Sequence, residues 1–135
     1  MKQNVGTAVF HNNSVLLAKR IIYYKGDLVN FPGYWSIFCG AVEDGETPIK
    51  AAYRELEEET GLPLKKGINF FTSFIFQDYE FLFHTLEVDD FFTPKLCFEH
   101  TESGWFDINS LVNFPYDIDD NIVRCIFEYN KIRDN

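Results

Sequence analysis

The chain has 135 residues, enough for one domain with a real core, and fifteen of them are phenylalanine. A formal net charge of −9 excludes a protein that wraps nucleic acid, because no basic patch exists to release counterions. Cys39, Cys97 and Cys125 are odd in number and scattered, Met1–Phe10 holds no apolar leader, and no run reaches membrane-spanning length, so a reduced, cytoplasmic protein off the membrane is expected.

In chain order, Val5–Phe10 and Val15–Lys19 read as strands joined by the turn His11-Asn12-Asn13-Ser14. Residues 20–33, with Lys25-Gly26-Asp27 and Phe31-Pro32-Gly33, form a connection long enough to shape a ligand site. Tyr34–Phe38 is a short strand leading into a loop bracketed by Gly40 and Gly45, where a backbone without Cβ can turn sharply. Thr47 suits an N-cap, Pro48 the first helical position, and Gly61 the left-handed residue that ends a helix. Ile49, Ala52 and Leu56 form the apolar strip that docks this helix on a core. Asn69–Gln77 and Tyr79–Val88 are two further strands, followed by shorter ones near Leu96–Phe98 and at Trp105–Phe106. Asn109–Val112 reads as a helical turn and Asp119–Lys131 as a final helix with Ile122, Ile126 and Tyr129 on one side. The pattern is α/β, a mixed sheet with helices on both faces, in one domain over residues 1–135 without repeats.

Glu55, Glu57, Glu58 and Glu59 crowd the C-terminal end of the first helix, where the last carbonyls already carry about half a negative charge. A cation among these carboxylates would relieve both the dipole and their mutual repulsion. Glu55, Glu58 and Glu59 stand at i, i+3 and i+4 and share a face, whereas Glu57 points away and Ala51 leaves that face open one turn earlier. Oxygen donors without His or Cys suit Mg²⁺ or Mn²⁺. The competing reading is a solvated acidic helix face. Arg54 neighbours the carboxylates and has the fork to orient one of them.

The spacing from Gly40 through Glu46 to Arg54-Glu55-Leu56-x-Glu58-Glu59-x-Gly61-Leu62 resembles the signature of the Nudix hydrolases, a MutT-like pattern. The resemblance implies an α/β/α sandwich. It also implies divalent-metal-dependent hydrolysis of a pyrophosphate bond in a nucleoside diphosphate-linked substrate, foremost a nucleoside triphosphate or a dinucleoside polyphosphate. By it, Glu55, Glu58 and Glu59 are metal ligands for Mg²⁺ or Mn²⁺, Arg54 orients them, and Gly40, Glu46 and Gly61 are supporting motif positions. A basic residue where Lys19 and Arg20 end their strand often contacts substrate phosphates in similar proteins, which makes Arg20 a substrate-binding candidate. The late loop before a Trp-containing strand often supplies a general base or further ligand; Glu99 is the first choice by its spacing to Trp105, Glu102 the second. The catalytic set is then Glu55, Glu58, Arg54 and Glu99. Tyr79 stands near the tyrosine of diadenosine polyphosphate hydrolases, and Phe74, Phe76 and Tyr79 are base-stacking candidates. The chain departs from the family's Pro-Gly-Gly entry with Phe38-Cys39-Gly40. The implied partner is a small nucleotide, with no stable nucleic-acid binding, and a homodimer is compatible with similar proteins. The alternative is a catalytically silent nucleotide sensor of the same fold.

Overall fold

The two faces of the sheet are set by alternating apolar positions in its first hairpin. The computed structural model describes residues 1–133. In β1 (Lys2–His11), Val5 and Val9 pack to one side while Ala8 and Phe10 pack to the other. In β2 (Ser14–Arg20), Leu16 and Ala18 face the first side, Val15 and Leu17 the second. A strand buried on both faces therefore reads as a continuous apolar run.

The two strands pair only from Val9↔Leu16 to His11↔Ser14 and then diverge. The fork is filled by two short strands, β5 (Trp35–Ser36) on Ala18 and Lys19, and β6 (Phe38–Ala41) on residues Asn4 to Thr7 of β1. On its other edge β1 lies parallel to β8 (Tyr79–Glu87), which carries the antiparallel edge strand β7 (Asn69–Phe76). β2 carries β9 (His100–Asp107) antiparallel on its outer side. Between β2 and β5, the short strands β3 (Tyr23–Tyr24) and β4 (Asp27–Leu28) form a separate hairpin.

Helix α1 (Pro48–Thr60) lays Ala51, Ala52 and Leu56 on the Val5–Val9–Leu16 face. Helix α2 (Asp120–Arg133) and a 3₁₀ turn at Ile108–Asn113 cover the opposite face with Ile108, Leu111, Ile122, Cys125 and Ile126. The result is the expected α/β/α sandwich with a mixed sheet. The α1 caps also match expectation: Thr47 Oγ1 accepts from the Lys50 amide at 3.3 Å, and Gly61 is left-handed at φ 79° with its amide on Glu57 O. No described helix is long and apolar enough to cross a membrane.

Four details differ from the sequence reading. Residues 20–33 are not plain loop, because Lys25 and Gly26, both at positive φ, make the tight turn of the β3–β4 hairpin. Tyr34–Phe38 splits at Ile37, one half serving each arm of the fork. Leu96–Phe98 is irregular, while β9 runs the full length of β2; the pairing offered by β2 outweighs the weak pattern of Glu102-Ser103-Gly104. Ile49 is exposed, and Ala51 takes its expected place against the core.

Candidate active site

The loop between β6 and α1 is tied down by one guanidinium. Arg54 grips the Glu46 carboxylate with two prongs, Nε at 2.8 Å and Nη2 at 2.9 Å, while Nη2 also donates to Ala41 O at 3.0 Å. Its Nη1 donates to Glu55 at 2.8 Å and reaches Glu58 at 3.5 Å, and Glu43 stands 3.3 Å from Nε. One guanidinium is thus shared among four carboxylates and offsets only part of their charge. Its hydrogen bonds hold the Glu46 carboxyl down at about 2.

Glu55 and Glu59 turn inward from the same helix. The Glu55 carboxyl lies against the Cα of Gly40: a Cβ there would sit 2.1 Å from Glu55 Cδ, so any side chain at this position would push the carboxyl aside. Burial raises the Glu55 pKa, with Arg54 pulling the other way. Glu59 is 1% exposed, and neither of its carboxylate oxygens finds a hydrogen-bond partner. Burial first, and then the charges of Glu55 and Glu99, push its pKa well up. The nearest basic group, His100 Nε2, lies 3.8 Å away, yet burial lowers that imidazole to about 4. It faces Glu59 as a neutral ring and does not balance the charge. A buried carboxylate in this position is costly unless a proton or a cation joins it. Nearby, burial drives the Cys39 thiol up to about 12, which leaves it protonated and a poor nucleophile.

Of the acids expected to act together, Glu55 and Glu59 lie inside and Glu58 stays on the rim, 56% exposed and leaning on Arg54. Among the described residues, no three His, Cys, Asp or Glu side chains converge into a ready-made metal cage. Glu102 turns away to Lys19 at 3.9 Å, and Gly61 sits at the far end of the helix beside Lys95.

On the other side of Gly40 a cleft of about 550 Å³ opens beneath the fork in the sheet. It takes in Gly40, Arg20, Tyr79 and Glu99 from the sequence-derived set, together with Phe74 and Phe76. Phe74 is stacked on Phe81 at 5.1 Å and 20°, so it is part of the wall as well as the lining. Asn4, Asn30, Phe31, Tyr34 and Asp119 also line the cleft and escaped the sequence reading. Asn4 lies in the polar start of β1, and Asp119, expected as the first residue of the final helix, instead caps α2 by accepting from the Asn121 amide at 2.8 Å. For Phe31 a signal did exist, its place before Pro32-Gly33 in an unusually long connection. The arrangement offers an aromatic cleft and, across one glycine from it, a buried pair of carboxyl groups.

The family model of the NUDIX domain matches residues 1–124. The chain belongs to the NUDIX family. A curated NUDIX relative, Nudix hydrolase 25 of Arabidopsis thaliana, is 42% identical over 62 residues, 45% of this chain and 31% of the relative. An RNA pyrophosphohydrolase of Bartonella quintana is 33% identical over 76 residues, 56% of this chain and 44% of the relative. The chain therefore spans less than half the length of these two relatives. Among solved structures, the MutT protein of Methanosarcina mazei superposes with a TM-score of 0.74 at 19% identity, over 99% of this chain and 95% of that one. That likeness establishes the NUDIX sandwich.

Proposed function

We propose that this chain, as a single domain over residues 1–135, hydrolyses a pyrophosphate bond in a nucleoside diphosphate-linked substrate with the help of Mg²⁺ or Mn²⁺. The observation that carries the reading is Glu59, a buried carboxyl with two unpartnered oxygens, set beside Glu55 across Gly40 from an aromatic cleft. An all-oxygen donor set fits a hard divalent cation. Glu55 and Glu59 would hold it from inside and Glu58 from the rim. When bound, such a cation screens phosphate charge and makes a water more acidic.

The rest falls to the chain's own side chains. Arg54 fixes the Glu55 carboxylate by a charge-assisted hydrogen bond, so its orientation does not depend on the ligand. Gly40 lets a diphosphate approach that carboxylate without a side chain between them. Glu99, in the turn before β9 and on the cleft lining, accepts the proton of the attacking water as general base. Arg20 and Tyr79 line the substrate side of the cleft. A nucleoside triphosphate or a dinucleoside polyphosphate supplies both the phosphates and the flat base that such a cleft accepts.

The test is a screen of both substrate classes with Mg²⁺ and Mn²⁺, reading both products. In Glu58→Gln, most of the turnover is lost while the protein folds normally. Wild-type rates in that variant at matched Mg²⁺ would refute the assignment. Calorimetric binding of a nucleotide without cleavage would point instead to a sensor.

A further inference from the structure

Phe31 occupies a backbone conformation that its sequence opposes twice. It is a bulky non-glycine residue at φ 51°, and it precedes a proline, a position that favours extended backbone. Strain of this kind persists only where the surroundings over-determine it, and it gathers at functional sites. Arg20 supplies much of that surrounding. Its backbone amide donates to Tyr34 O at 2.8 Å, and its Nε donates to Asn30 O at 3.0 Å, next to the strained residue. The Tyr34 amide closes the turn back onto Phe31 O. Simple core packing does not account for the strain, since Phe31 remains 36% exposed.

The strained backbone instead delivers a ring to the cleft. Phe31 meets Tyr34 edge-on at 5.4 Å and leans on Phe76 at 5.8 Å, so a row of aromatics links the long connection to the β7–β8 hairpin. All three rings line the cavity on the side of Gly40 away from Glu55. Aromatic faces of this sort take up any base by stacking, largely without regard to its hydrogen-bonding edge.

We propose that Phe31 is a specificity-determining residue whose ring stacks on the flat base of the nucleotide, and that Arg20 is the positioning residue that holds it there. The inference rests on the nucleotide reading above and adds to it the part of the site that recognises the non-phosphate end. It also gives Arg20 a task other than phosphate contact.

The experiment compares ATP and GTP with inorganic tripolyphosphate, a phosphate chain lacking sugar and base, by calorimetry and by turnover with Mg²⁺. Phe31→Leu is expected to weaken binding of ATP and GTP by about tenfold or more, with the loss in KM rather than kcat, and to spare tripolyphosphate. Arg20→Lys keeps the charge but loses the Nε donor, and it should give the same base-selective loss. An equal loss on tripolyphosphate would make Arg20 a phosphate ligand and overturn the positioning role. Wild-type protein that binds ATP and GTP no better than tripolyphosphate overturns the stacking, whatever its turnover. Selective nucleotide binding without cleavage supports stacking while removing the hydrolytic reading, which keeps the two failures distinct. Thermal melts supply a readout independent of ligands. Phe31→Gly should melt above Phe31→Ala, because only glycine tolerates this φ without strain, and the gap should narrow when Arg20→Lys is added. Equal melting temperatures for the glycine and alanine variants would remove the strain on which the inference stands.

Discussion

A methyl group at residue 40 would lie 2.1 Å from Glu55 Cδ, and the carboxylate could swing aside only by giving up the hydrogen bond from Arg54 Nη1 at 2.8 Å. Gly40→Ala should therefore fold but displace Glu55, and displacements of about 1 Å at a reacting centre cost on the order of 100-fold in rate. Steady-state kinetics beside a thermal melt checks this; full activity would show that Glu55 has no positional role. At Glu46 the consequence is a pH dependence. Its carboxyl is held at about 2 when folded, against an ordinary value of 4.5, so the Arg54 pair contributes stability above about 4.5 that is lost as the pH falls toward 2. Glu46→Gln should be less stable than wild type at neutral pH and should lose less stability across that acidic window. Melts from pH 6 to pH 2 decide it, and parallel curves for the two proteins would dissociate Glu46 from the effect. Helix spacing was enough to put Glu55, Glu58 and Glu59 on one face with Arg54 beside them, while Gly40 and Glu46 were marked as site residues only by the resemblance to the family motif. What stayed hidden was three-dimensional: that Glu59 is enclosed, that its neighbour His100 is kept neutral by burial, and that the backbone of Phe31 is bent against its own preference.

Helix α1 was legible nearly to the residue, since Thr47, Pro48 and Gly61 each have a local physical reason to mark an end. The strands around the fork were not. β5, β6 and the start of β1 owe their existence to partners far away in sequence, and the polar Lys2-Gln3-Asn4 has no local pattern to declare it. The far end of α2 shows the same dependence on distant partners. Arg133 donates to both oxygens of Glu87 at the end of β8, at 2.9 and 3.0 Å, and to the Asn12 carbonyl in the β1–β2 turn. It also lies over the Phe10 ring at 4.8 Å, while the Tyr129 hydroxyl donates to the same Glu87 at 2.6 Å. With Glu87 half exposed, the ion pair by itself contributes little, and the carbonyl and ring contacts bring the total to about 1–2 kcal/mol. Arg133→Met should lower the melting temperature by roughly 3–8 °C and leave kcat within about twofold, since the latch lies away from the cleft. A lost turnover at unchanged stability would mean that α2 is coupled to the active site in a way this packing does not provide.

At the scale of the whole molecule, the proposed polyanionic substrate would approach a chain of net charge −9, and general electrostatics oppose that encounter. The sandwich solves part of this by segregation, because the fork in the sheet opens the cleft between its two arms while α1 brings Arg54 and the carboxylates to the inner edge. Arg54 is already engaged by Glu46, Glu55 and Glu58, so it cannot also balance Glu59. Glu59 is left to a proton or a cation, and a divalent cation bound to the folded protein adds stability of about 2.7 kcal/mol at one hundred times its dissociation constant. Mg²⁺ or Mn²⁺ should accordingly raise the melting temperature by several degrees over protein in EDTA, whereas NaCl at matched ionic strength should not. Glu59→Gln places a neutral amide where the unpaired carboxylate was, so this variant should melt at or above wild type in EDTA, gain little from Mg²⁺, and lose turnover. The three measurements together separate a specific ion from general screening: a wild-type protein equally stable in EDTA and in saturating Mg²⁺, or a Glu59→Gln variant that still gains the full shift, would locate the cation elsewhere or nowhere.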